Sequence, residues 1–333
     1  MIGDSAGCDG LAGDVTRVAR AAGFDDVGFC DAVAYPEMQR LAEWVGLGYH
    51  AGMTFLRKSI AARMDPGNVL PGARTAVVVA MSCLAEGVRG PGHGAGYPGP
   101  GSRFALYSLG RSYHEVMASG LRQVVALLEG RGFRAVAHVD TGPVMEKLLA
   151  ARAGLGVIGD NGLLQHPVLG SWVCLGVVLT DARLEPSRSS AGYPTGCAHC
   201  GACVAACPNA ALLGGGLLDA RRCISYWTIE ARGRLRPWQR KLMRASVYGC
   251  DECQRVCPGN RAAWDRLPER LGPRHWLDRM GLPALSRLEP GELDELACGT
   301  VIARLGHKKL LRNVRAAMEC EAGLERGTRR PAA

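Results

Sequence analysis

The chain has 333 residues and no apolar run of membrane-spanning length. Its start, "MIGDSAGCDGLAGD", has no basic stretch followed by an apolar one and no arginine pair. Neither a secretory nor a twin-arginine leader is expected, and the expected compartment is the cytoplasm. Thiols stay reduced there, so the fourteen cysteines are not expected to form a disulfide framework. No internal repeat is present apart from two cysteine strings. What is present is a 47% hydrophobic composition, enough for a sizeable core, over a length that suits one large domain or two ordinary ones. The net charge of +9 suggests an anionic partner but names none.

The cysteines divide by position. Cys8, Cys30, Cys83, Cys174, Cys298 and Cys320 are scattered and read as small apolar residues in or near a core. The other eight lie between residues 197 and 257. Cys197, Cys200, Cys203 and Cys207 form C-x2-C-x2-C-x3-C-P, and Cys250, Cys253 and Cys257 form C-x2-C-x3-C-P, with Cys223 between the two strings. The first string is the bacterial ferredoxin signature, whose fourth cysteine ligates the other cluster. Three close thiolates wrap one face of a [4Fe–4S] cube, and the next starts a helix that leads away. Cluster one is therefore assigned to Cys197, Cys200, Cys203 and Cys257, and cluster two to Cys207, Cys223, Cys250 and Cys253. Zinc is the competing reading, but it favours paired C-x2-C knuckles and does not call for this run.

Residues before 185 read as a separate α/β domain. "DDVGFCDAV" (26–34), "TAVVVAMSC" (75–83), "RAVAHVD" (134–140) and "SWVCLGVVLT" (171–180) are short, apolar and Val-rich, as strands are. Residues 113–133 have helical periodicity, with Val116, Leu121, Val124, Leu127 and Leu128 able to share a face and Gly130 or Gly132 as a stop. Residues 86–103 read as a long Gly/Pro loop, and 182–196 as a linker. Three sections result: a domain over 1–185, a ferredoxin-like double-cluster domain over 186–265, and a helical segment over 266–333.

Two further features stand out. Asp140 ends a strand, where ligand sites of open α/β sheets lie. An acid there is either a proton donor or an N-cap for the helix "VMEKLLAARAG", and the residue alone favours the cap. The strip 221–246 carries Arg221, Arg222, Arg232, Arg234, Arg236, Arg240, Lys241 and Arg244 against a single acid, Glu230, with Tyr226, Trp227 and Trp238 interleaved. Cations hold phosphates and aromatics stack on loop bases, but a solvated face reads the same way. "LGHKKLLRNVR" (305–315) is a possible extension of this basic surface.

The stretches "GYHAGMTFL", "RMDPGNVLPGARTAV", "LGRSYHEVM", "HVDTGPVMEKLLAARAGLGVIG", "GSWVCLGVVLT", "CAHCGACVAACPNAAL", "LDARRCISYWTIE" and "YGCDECQRVCPGN", in this order, resemble the epoxyqueuosine reductase family. The resemblance implies an N-terminal domain that binds a corrinoid (cobalamin, base-off) and a double [4Fe–4S] module that feeds electrons to its cobalt. It implies tRNA carrying epoxyqueuosine at the wobble position as substrate, reduced to queuosine, with a low-potential electron donor and a monomeric, membrane-free protein. The family's proton-donating acid falls on Asp140, and its corrinoid-facing positions fall on Arg63, Ala105, Leu164, Leu175 and Ser225. No free-standing D-x-H-x-x-G cobalamin motif is present, so the cobalamin expectation rests on the resemblance. Family members often carry Asp where this chain has Ser112, and Lys where it has Asp160, in a glycine-rich loop expected near the corrinoid. The chain also stops soon after residue 318, short of the family's C-terminal helical repeats. The alternatives are a paralogous corrinoid and iron–sulfur reductase of another small substrate, akin to reductive dehalogenases, and a non-enzymatic ferredoxin-type carrier. The carrier reading leaves Asp140 and the glycine loop without a role.

Overall fold

The computed structural model describes residues 5–86, 104–187, 196–264, 267–273 and 279–328. The expected long loop lies outside them except for residues 86, and so does most of the expected linker. The strands in chain order are β1 (Asp26–Asp31), β2 (Thr75–Ser82), β3 (Ala135–Val139), β4 (Val157–Ile158), β5 (Leu164–Gln165), β6 (Val173–Thr180), β7 (Leu212–Gly214) and β8 (Leu217–Leu218). Four of them form the main sheet, in the order β1-β2-β6-β3, and every pairing in it is antiparallel. The fold is thus mixed α/β in its α+β form.

Helices cover both faces of this sheet. All eight residues of β2 are buried, which is why the strand reads as a continuous apolar run without alternation. Val77, Val79 and Met81 face the helices Ser5–Ala21 and Tyr113–Gly130, which supply Leu11, Val15, Leu121 and Val124. Ala76, Val78 and Ala80 face the helix Glu146–Arg152, through Leu148 and Leu149. A Cβ on Gly28 of β1 would stand 2.3 Å from the Ala153 carbonyl oxygen, so only glycine lets the end of that helix lie on the sheet. Fully burying an aliphatic side chain of this kind contributes about 1.5–3 kcal/mol, and both faces of the sheet gain it.

The core does not stop at the boundaries suggested near 185 and 265. The cluster that contains Val77 and Leu121 also contains Val247, Tyr248 and Trp264 of the cysteine-rich section. It continues into Leu282, Leu293, Ile302 and Val314 of the C-terminal helices. Among those helices Pro290–Ala297 and His307–Thr328 are the longest. Two polar side chains fasten these sections together. Asn260 is 2% exposed; it accepts from Ser171 N at 2.6 Å and donates to Ser171 Oγ at 2.7 Å and Gln254 O at 2.8 Å. Asn313 is 0% exposed and donates to Thr228 O and Val247 O, both at 2.8 Å. No helix among the described residues is long and apolar enough to cross a membrane.

Candidate active site

The antiparallel order brings the carboxyl ends of β2 and β3 to the same end of the sheet as the amino end of β6. A cavity of about 450 Å³ opens there. Cys83 follows β2, Asp140 follows β3, and Val173, Cys174 and Leu175 begin β6; all five line it.

Asp140 is not a helix cap. The helix it was expected to cap runs over Glu146–Arg152 with Met145 at its N-cap position, five residues further on. Asp140 instead takes a left-handed backbone, φ 54°, in a tight turn where Thr141 N donates to Val139 O at 2.5 Å. The turn folds back on β3, and a Cβ on Gly142 would stand 2.6 Å from the His138 ring, so glycine is required there. A left-handed aspartate is uncommon, and such positions concentrate at functional sites.

Tyr113 and His114, stacked at 4.2 Å, open the helix Tyr113–Gly130 beside this turn. His114 Nε2 is 3.5 Å from Asp140 Oδ2 and is hydrogen-bonded to Arg304. Burial, with the Arg304 charge added, holds His114 below the usual imidazole range. Burial and the Asp140 carboxylate push the Tyr113 phenol up. Ser112, just before them, is buried and donates its backbone N–H to Gly299 O at 2.6 Å.

Glu146 lines the same cavity, and its Oε1 is shielded from solvent without a hydrogen-bond partner. Burial pushes its carboxyl up to about 7, against the opposing pull of its own helix N–H and Arg63. Asn209 also lines the cavity, and its Oδ1 is likewise buried and unpartnered. Sequence reading passed over Glu146 because a glutamate in a first helical turn is ordinary.

The far wall belongs to the cysteine-rich section. Cys207, Cys223, Cys250 and Cys253 all line the cavity. Burial raises the Cys250 thiol to about 12 and holds the Cys253 thiol well above its usual range. Ala211 N donates to Cys207 Sγ at 3.2 Å. The other four lie to one side. Cys197 Sγ accepts from Asp160 N at 3.4 Å, Cys257 Sγ is 3.7 Å from Gln165 Oε1, Cys203 is buried and Cys200 is exposed. The short helices that carry Cys203 (Ala202–Ala206) and Cys253 (Glu252–Arg255) pack together.

Of the positions expected to face a corrinoid, Leu175 and Ser225 line the cavity with Asp140. Arg63, Ala105 and Leu164 are buried and do not line it. Arg63 donates to Ser59 Oγ and to Val144 O, both at 3.0 Å, and so braces the connection between Asp140 and Glu146. Ala105 N donates to Tyr248 O at 2.8 Å, and Leu164 sits in β5. The glycine-rich loop expected near the corrinoid lines the cavity through Asn161 and Leu163. Asp160 itself does not line it and pairs with His199 Nδ1 at 2.9 Å beside Cys197.

The basic strip is held from below. Leu235, Trp227 and Met243 are buried in a small core with Ala316 of the C-terminal helix. Arg232, Arg234 and Arg236 are exposed around Leu235. Trp227 is 0% exposed and cannot stack on a base, whereas Trp238, edge-on to it at 5.3 Å, is 44% exposed. Tyr226 OH accepts from Gly52 N at 2.8 Å. Arg221 is engaged with Asp219 at 2.8 Å, and Arg240 with Glu319 at 3.2 Å. In the segment expected to extend the surface, Lys309 donates to Ile229 O at 2.7 Å, and Arg312 to Trp227 O at 2.6 Å and Ala231 O at 2.7 Å. Those two cations support the strip and do not enlarge it.

Comparison with known proteins agrees with this geometry. Residues 63–141 match a family model described as "Epoxyqueuosine reductase QueG, DUF1730", and residues 196–260 match "4Fe-4S double cluster binding domain". An epoxyqueuosine reductase of Gloeobacter violaceus is 38% identical over 317 residues, which cover 92% of this chain and 95% of the relative. One of Escherichia coli is 32% identical over 306 residues, covering 89% of this chain and 77% of the relative. A crystal structure of epoxyqueuosine reductase with a tRNA-Tyr epoxyqueuosine-modified stem loop superposes with a TM-score of 0.80 at 27% identity, covering 94% of this chain and 82% of that one. The chain belongs to the epoxyqueuosine reductase family.

Proposed function

We infer that this chain reduces the epoxide of epoxyqueuosine at the tRNA wobble position, giving queuosine. The observation that carries the reading is the single cavity that Asp140 shares with Cys207, Cys223, Cys250 and Cys253. An acid and the thiols of one cluster face the same space, as a reaction that joins electron delivery to proton delivery requires. Cluster one is held by Cys197, Cys200, Cys203 and Cys257, and cluster two by Cys207, Cys223, Cys250 and Cys253.

The cavity suits a corrinoid. Its walls are largely apolar, with Val173, Leu175, Leu212 and Ile224, and it holds the unpartnered Asn209 Oδ1. Leu175, Ser225 and Asp140 would face the corrinoid, while Arg63, Ala105 and Leu164 would stand behind the walls. When bound, the cobalt supplies the electron chemistry at carbon. The chain's own residues do the rest. Asp140 donates a proton to the epoxide oxygen, which leaves poorly as an alkoxide. Tyr113 and His114 fix the turn that presents it. The exposed Arg232, Arg234 and Arg236 hold tRNA phosphates, and Trp238 offers a face to an unstacked base.

Residues 1–185 form the corrinoid section, 186–265 the cluster section, and 266–333 a helical segment that braces both. The protein works as a cytoplasmic monomer with a low-potential electron donor. The test is anaerobic incubation of the reduced, fully loaded protein with epoxyqueuosine-containing tRNA, followed by nucleoside mass analysis. Loss of one oxygen from the modified nucleoside is the expected result. Unchanged epoxyqueuosine after prolonged incubation refutes the reading.

A further inference from the structure

Conversion of an epoxide to an alkene takes up two electrons and two protons. Both carbon–oxygen bonds break, a carbon–carbon double bond forms, and the oxygen leaves as water. The electrons come through the clusters. Both protons end on one oxygen, yet Asp140 carries only one at a time. The second proton comes either from water, which reaches the half-exposed Asp140, or from a second acid beside it.

We propose that Glu146 is that acid: its carboxyl holds the second proton of each turnover and hands it to Asp140. The inference rests on the epoxide-reducing reading and adds a residue to it. Glu146 lines the Asp140 cavity from the other end of the connection that follows β3, at the first turn of Glu146–Arg152. Its Oε1 is shielded from water and accepts no hydrogen bond, an arrangement that is costly for a carboxylate and cheap for a neutral acid. The charged groups that face it are Asp140 from the turn after β3, Arg63 from the helix Ile60–Met64, and Lys147 from its own helix. Neither cation is spent on it. Arg63 donates Nε to Ser59 Oγ and Nη1 to Val144 O, both at 3.0 Å, and Lys147 Nζ donates to Gly162 O at 2.6 Å. Asp140 adds repulsion against ionisation. Burial carries the Glu146 carboxyl to about 7, so it holds a proton in the lower half of the physiological range and can release it there. Glu146 acts through Asp140 and is a positioning residue for its proton.

The experiment compares wild type with Glu146→Gln and Glu146→Asp, each with both clusters and corrinoid. Wild-type turnover of epoxyqueuosine-containing tRNA should fall as pH rises through about 7, because the donor is the protonated form. Glu146→Gln keeps the shape but carries no transferable proton. Its turnover near pH 6 should fall by about a hundredfold, the lower end of a positioned acid's contribution, and should lose the inflection. Glu146→Asp should recover part of the rate. Independently of activity, pH-difference infrared spectra of protein labelled with 13C-glutamate should show a protonated glutamate carboxyl that titrates near neutrality and is missing from Glu146→Gln. An active wild type beside a Glu146→Gln of equal rate and pH profile overturns the inference alone. So does a labelled wild type with no protonated glutamate near pH 6, whether or not the variants fold. An inert wild type overturns the epoxide reading and this inference with it.

Discussion

Asn313 offers a quantitative test of how the C-terminal helix supports the cluster section. Its amide donates to Thr228 O and Val247 O at 2.8 Å, and its Oδ1 accepts from Arg312 Nη2 at 2.8 Å, all without solvent. Asn313→Ala strands two buried carbonyls, each costing about 1–3 kcal/mol. Taking the lower half of that range, the two carbonyls cost about 2–4 kcal/mol and the lost Arg312 partner adds about 1, so the total is about 3–5 kcal/mol. At about 2 °C per kcal/mol for a chain of this size, the melting midpoint of the loaded, anaerobic protein should drop by about 6–10 °C. Asn313→Asp has nearly the same shape, but its carboxylate faces two carbonyl oxygens in a buried site. It keeps the Arg312 guanidinium at one oxygen and sets the other against the carbonyls, so it too should be destabilised. Thr228 follows Cys223, and Val247 precedes Cys250, so iron should be lost first from the cluster those cysteines hold. A midpoint within about 2 °C of wild type for either variant refutes the reasoning.

Asp140→Asn should keep both clusters and the corrinoid while turnover falls by about a hundredfold or more, the loss expected for a general acid; near-normal turnover in the loaded variant would send the search for the donor elsewhere. Cys207→Ser should damage the cluster that contains Cys250, and spectroscopic loss confined to the Cys197 cluster would show the ligand partition to be wrong. Joint replacement of Arg232, Arg234 and Arg236 by Glu should weaken tRNA binding and flatten its salt dependence with iron content unchanged, whereas equal affinity would return the strip to a solvated face.

Several parts of this structure are legible in the sequence. The eight cysteines announce the cluster section because iron–sulfur ligation fixes spacing. The four main strands read correctly because Val-rich runs such as 75–82 are buried on both faces. Their antiparallel order does not read from local pattern, since it is set by long connections. The cap reading of Asp140 fails because "TGPVM" intervenes and proline delays the helix to Glu146. Trp227 counts as a stacking residue in the sequence and is fully buried in the fold, because a basic neighbourhood says nothing about which way a side chain turns. Glu146 is invisible for the same reason: its significance lies in the missing partner of one oxygen atom.

The C-terminal helix also bears on the order of events during synthesis. The eight cysteines leave the ribosome before Arg312 and Asn313 do, yet the carbonyls of Trp227, Thr228 and Val247 depend on those two residues for their hydrogen bonds. Until the helix has emerged and docked, the segments around Cys223 and Cys250 lack their inner support. A nascent chain therefore exposes the first cysteine string while the frame around Cys223 and Cys250 is unfinished. On the proposed ligand partition, the cluster held by Cys223 and Cys250 can be kept only once that helix has docked.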